Sequence, residues 1–73
     1  MYLVEAKPED ALVFIGFDGS DDEYEEIMEM GLSVGVMVIV KKINDEGVLV
    51  EFDDGRQLTI SKKLAEKIVV NPV

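Results

Sequence analysis

The stretch "VMVIVKKINDEGVLVEFDDGRQLTI", Val36 to Ile60, decides the fold. "VMVIVKKI" is rich in β-branched residues and runs into the turn "NDEG", Asn44 to Gly47. In "VLVEF", Val48, Val50 and Phe52 alternate with Leu49 and Glu51, the period of two that sends successive side chains to opposite faces of a strand. "DDG", Asp53 to Gly55, supplies an Asp-Gly turn into "RQLTI", where Leu58 and Ile60 alternate with Gln57 and Thr59. The expectation is a three-stranded antiparallel meander.

Outward from the meander, "ALVFIGF" (Ala11 to Phe17) is short, β-branched and aromatic, and bounded by "KPED" and "DGSDD", so it reads as a buried strand. On the other side, "SKKLAEK" starts with Ser61 as a helix cap and gives one short turn before "IVV" (Ile68 to Val70), a final strand. Between the first two strands lies "GSDDEYEEIMEMGLSVG". Ser20 and Glu23 stand at capping-box spacing, and Asp21, Asp22 and Glu23 fill the first turn, where the helix dipole favours negative charge. Tyr24, Ile27 and Met28 define an apolar face, with Glu25, Glu26 and Glu29 directed elsewhere and Met30 lying off that face, exposed. Gly31 suits the left-handed residue after the helix, with Leu32 folding back in a Schellman-type ending, and Gly35 suits a place where two backbones approach. The fold class is therefore mainly β: a small, partly open antiparallel barrel of five strands, one α-helix (Asp21 to about Met30) inserted after the first, and a short helical turn before the last. Residues 1–73 read as one domain without repeats or linkers.

Composition narrows function. Sixteen acidic against seven basic side chains leave a formal net charge of −9, with no basic surface to neutralise phosphates, so nucleic acid is not an expected partner and anionic lipid is repelled. Lys41-Lys42 and Lys62-Lys63 are small local exceptions. Cysteine and histidine are both absent. That removes disulfides, Ser-His and Cys-His nucleophile pairs, and the softer ligands of zinc and iron sites. The chain suits a reducing cytoplasm. "MYLVEAKPED" lacks the basic start and apolar run of a secretory signal, and no apolar run reaches the roughly 20 residues of a membrane helix, so neither export nor membrane insertion is expected.

The acidic stretch has three readings. A calcium loop starting at Asp18 places Glu23 where the sharp turn needs glycine and Glu25 where an aliphatic residue belongs. A catalytic acid cluster needs two carboxylates in a desolvated cleft, and a barrel this small fills its interior with its own side chains. The capped helix explains the same residues without strain, and a looser, weak cation site among Asp18, Asp21 and Asp22 stays open beside it. No enzyme and no cofactor are expected.

The segments "IMEMGLSVGVMVIV" (Ile27 to Val40) and "LTISKKLAEKIVV" (Leu58 to Val70) resemble the FeoA family, small cytosolic accessory proteins of bacterial ferrous-iron transport. The resemblance covers nearly the whole chain and implies an SH3-like barrel related to the C-terminal domain of metal-dependent repressors. The chain departs from the family pattern in three places. Glu25, Glu26, Ile27 and Met28 stand near the family's Arg-Leu, Val34 stands where a proline often precedes the second glycine, and Pro8-Glu9 replaces an early Pro-Gly. The resemblance implies regulation or assembly of a FeoB-type membrane transporter by protein contact, with cytoplasmic location and recruitment to the inner membrane face through the transporter. A monomer is the expected state. The expected partner interface is Glu25, Glu26, Glu29 and Met30, with Ser20, Gly31, Leu32 and Gly35 as structural turn and core positions. The alternative is a regulatory domain that senses divalent cations through oxygen ligands. A proline-peptide binder would need an aromatic groove, for which two Tyr, three Phe and no Trp leave little material.

Overall fold

The computed structural model describes all residues from Met1 to Val73. Its strands are β1 (Ala11–Phe17), β2 (Met37–Asn44), β3 (Gly47–Phe52), β4 (Gln57–Ser61) and β5 (Ile68–Pro72). Helix α1 (Asp21–Glu29) lies between β1 and β2, and the single-turn α2 (Lys62–Ala65) lies between β4 and β5. All pairings are antiparallel in the order β4-β3-β2-β1-β5, so the sheet curls without pairing its two edge strands. The expected partly open, five-stranded barrel is what forms.

Period-two alternation builds the core. Leu12, Phe14, Val38, Val40, Val48, Val50, Phe52, Ile60, Ile68 and Val70 all point inward and are buried. Ile27 and Leu32 at the end of α1, Leu64 and Ala65 of α2, and Leu3 and Ala6 complete a single apolar cluster, and no polar or charged residue is buried with them. Turn chemistry sets the register of the meander. The β3–β4 loop carries Gly55 at φ +90, with its N–H donating to the Phe52 carbonyl at 3.0 Å, the glycine-in-αL geometry of a three-residue hairpin loop. Asn44 pairs with Gly47, so Asp45 and Glu46 alone make the β2–β3 turn.

Four features differ from the sequence reading. A 3-10 turn at Leu3–Glu5 has no periodic signal, being too short for one, yet it packs against β3, β5 and α2 and buries Leu3, while Val70 N–H donates to the Met1 carbonyl at 2.7 Å. β2 begins at Met37, since Val36 closes a turn onto the Ser33 carbonyl at 3.0 Å. Gly35 is not a close-approach glycine: a Cβ there would meet nothing within 4 Å, and the position matters for its φ of +95. The inward face of α1 is Tyr24, Ile27 and Met30, not Tyr24, Ile27 and Met28. Met30 caps the helix in αR conformation (φ −75, ψ −9), three residues beyond Ile27, and so falls on the same side and packs half-buried on the core. Met28, about 100° around the helix from Ile27, is 48% exposed.

Candidate functional site: the acidic helix

Helix α1 is fastened at both ends. At its start Ser20 is extended (φ −74, ψ 165), the Glu23 N–H donates to Ser20 Oγ at 3.2 Å, and the Ser20 N–H donates back to Glu23 Oε1 at 3.0 Å. Each half of this capping box satisfies an amide that the helix leaves without a partner. Lys67 adds a bond no local pattern announces: its Nζ donates to Oε1 and Oε2 of Glu23 at 2.9 and 2.8 Å. The Lys67 ammonium, then the Ser20 N–H, hold the Glu23 carboxyl down at about 2. At the far end Gly31 takes φ +98, its N–H donating to the Met28 carbonyl at 3.0 Å and the Leu32 N–H to the Ile27 carbonyl at 3.1 Å. These are the two bonds of a Schellman ending, and buried Ile27 and Leu32 bracket it.

The carboxylates do not gather. Nowhere do three acidic residues approach closely enough to hold a metal ion. Asp18 instead accepts a hydrogen bond from the Tyr2 hydroxyl, which raises the tyrosine's pKa. Asp21, Asp22, Glu25, Glu26 and Glu29 are exposed. Of the lysines singled out, Lys41 lies 3.8 Å from Glu9, whereas Lys42, Lys62 and Lys63 are exposed and outside any ion pair. The arrangement offers a rigid, negatively charged helix with one exposed methionine. It has no desolvated acid pair of the kind that moves protons. Sequence reasoning missed Lys67 and Tyr2 because each reaches the α1 region from a distant part of the chain.

The family model described as FeoA domain matches residues 1–72. This chain belongs to the FeoA family. A crystal structure described as iron uptake regulatory protein (FeoA) is 23% identical with a TM-score of 0.89, covering 100% of this chain and 97% of that one. The FeoA protein from Chlorobium tepidum is 24% identical with a TM-score of 0.86, over 100% of this chain and 70% of that one. A manganese-dependent transcriptional repressor in complex with manganese, 16% identical, superposes with a TM-score of 0.92 over 100% of this chain and 36% of the repressor. The fold is thus the SH3-like barrel of the repressor C-terminal domains. No curated protein sequence matches. FeoA membership implies an accessory role in ferrous-iron transport and places the chain in a family of small accessory domains rather than in a known enzyme family. No helix is long and apolar enough to cross a membrane.

One departure from the FeoA pattern now has a structural meaning. The Asp10 N–H donates to the Lys7 carbonyl at 3.1 Å, closing a turn in which Pro8 holds the second place and Glu9 the third, with φ +75. That is the arrangement of a type II turn, whose third residue is ordinarily glycine. The resemblance sets Glu9 against the glycine of the early Pro-Gly, and the turn persists with a side chain forced into left-handed conformation.

Proposed function

We propose that this FeoA-family chain is a non-enzymatic accessory protein of bacterial ferrous-iron uptake that works in the cytoplasm by contact with the cytosolic domain of a FeoB-type membrane transporter. The observation that carries the reading is α1 itself: Glu25, Glu26 and Glu29 are exposed on a helix immobilised at both ends, with exposed Met28 and the outer edge of Met30 beside them. A surface already ordered loses little entropy on binding, and its charge steers a basic partner. The partner would present a basic rim around an apolar pocket.

Surface-binding measurements with the transporter's cytosolic domain test this. Association should slow as salt rises, Glu25→Lys with Glu26→Lys should slow it further, and Met28→Asp should speed dissociation. Met30→Asp should also abolish binding, but because Met30 packs on the core its result counts only with an unchanged thermal melt. A folded wild-type chain that does not bind at all would end the reading. The cation-sensing alternative needs converging oxygen ligands, and no observation favours it over the contact reading.

A further inference from the structure

The outer face of the sheet carries an apolar surface that the core does not use. Register sets Ala11 opposite Ile39 and Val13 opposite Met37, while Leu12 and Val38 between them point inward. The four residues therefore share the outer side. Met37 and Ile39 are 48% and 39% exposed, and Ile15, two residues beyond Val13 on the same side of β1, is 40% exposed. Within this face a hollow of about 110 Å³ is lined by Ala11, Met37, Ile39, Glu51 and Asp53, with the inward-pointing pair Val38 and Phe52 completing the lining. Glu51, opposite Ile39, and Asp53 stand at its rim, and no lysine or arginine lines it. Isolated exposed apolar side chains are ordinary, but a contiguous group around a hollow marks a contact surface.

Charge selects the occupant. A second copy would bring −9 against −9 and, in a twofold contact, set the acidic rim against itself. Anionic lipid is repelled in the same way. We infer that this outer face of β1, β2 and β3 receives a basic protein segment, which inserts one aliphatic side chain into the hollow while its lysines or arginines pair with Glu51 and Asp53. The inference rests on the transporter reading for the partner's identity: the segment belongs to the cytosolic domain that α1 steers in, and the sheet face provides the apolar anchorage that α1 largely lacks. Helix α1 follows the end of β1 and precedes the start of β2, so it lies at the end of the sheet where Met37 begins β2. A standard interface of about 800 Å² per partner is less than a fifth of the chain's 4363 Å² surface, so one footprint can include both.

The test measures binding of the full chain to the transporter's cytosolic domain, with a thermal melt of each variant, sedimentation equilibrium, and flotation with phosphatidylglycerol vesicles. Met37→Asp and Ile39→Asp should each weaken binding at least tenfold through faster dissociation, Met37→Leu should restore it, and Glu51→Lys with Asp53→Lys should slow association. Should a variant unfold, amide shifts of the wild-type chain on titration decide: movement at Val13, Met37 and Ile39 supports the inference, and movement confined to α1 overturns it. Wild-type binding that responds only to α1 variants overturns this inference and leaves the transporter reading standing. Absence of wild-type binding overturns both. Self-association or vesicle flotation abolished by Met37→Asp would assign the face to a second copy or to lipid, and the inference would fall.

Discussion

The Lys67 ammonium lies 2.8 Å from one carboxylate oxygen of Glu23 and 2.9 Å from the other, joining the first turn of α1 to the residue before β5 across 44 positions of sequence. Beyond its apolar packing, α1 is tied to the barrel by this polar clasp.

The clasp has a pH signature. Folding lowers the Glu23 carboxyl from the ordinary 4.5 to about 2, chiefly through Lys67. A group whose pKa falls on folding contributes stability above its unfolded value and loses it as pH drops through its folded one. The melting temperature should therefore decline between about pH 4.5 and about pH 2. Glu23→Gln should lower it at neutral pH, and the gap from wild type should close by the acid end. A gap that persists undiminished at the acid end would exclude the ion pair as its source.

Ser20→Ala removes the hydroxyl that accepts the Glu23 N–H. The expected cost is about 1 kcal/mol, seen as a lower denaturant midpoint with unchanged slope. An unshifted midpoint would mean that water caps the helix equally well.

Glu9→Gly should stabilise the chain. Glu9 sits at φ +75, where a Cβ is strained, and its ion pair with Lys41 is long at 3.8 Å and 74% exposed at the glutamate. Relief of strain, less the greater chain entropy of glycine, leaves a net gain of about 0.5–1 kcal/mol, measurable by equilibrium unfolding. Loss of stability would mean that the Glu9 side chain has a role beyond the turn.

Two glycines should respond unequally to alanine. Gly35 has φ +95 with open space around it, so Gly35→Ala should cost about 1 kcal/mol. Gly47 has φ +146, and a Cβ there would run into the Ile60 carbonyl, so Gly47→Ala should displace β3 from β4 and lower the melting temperature several times as far. Equal losses would contradict the close pairing of these strands.

Scattered carboxylates predict weak cation binding. Ca²⁺, Mn²⁺ and Fe²⁺ should bind no better than on the order of millimolar. Calorimetry showing micromolar, saturable binding that moves the amides of Asp18, Asp21 and Asp22 would promote the cation-sensing alternative.

Where the deciding forces act within a few residues, the sequence was enough. Alternation in Val48 to Phe52 and Gln57 to Ile60, the Ser20–Glu23 box, the Gly31–Leu32 ending and the Ser61 cap all rest on pleat geometry or on bonds spanning three to five residues, and the chain forms each of them. Met30, and not Met28, shares the buried face with Ile27, because the helical geometry continues through the αR cap and sets Met30 three residues beyond Ile27 on the same side. Pairs such as Glu23 with Lys67 and Tyr2 with Asp18 had no signal, since the fold alone brings them together. The outer sheet face shows the limit most clearly. In "VMVIV" both sides of the strand are apolar, so alternation groups Met37 with Ile39 and Val38 with Val40 without saying which pair faces the core. Pairing with β1 and β3 chose Val38 and Val40, because register sets Val38 beside inward-pointing Leu12 and Phe52 and Val40 beside Val50, and left Met37 and Ile39 facing solvent.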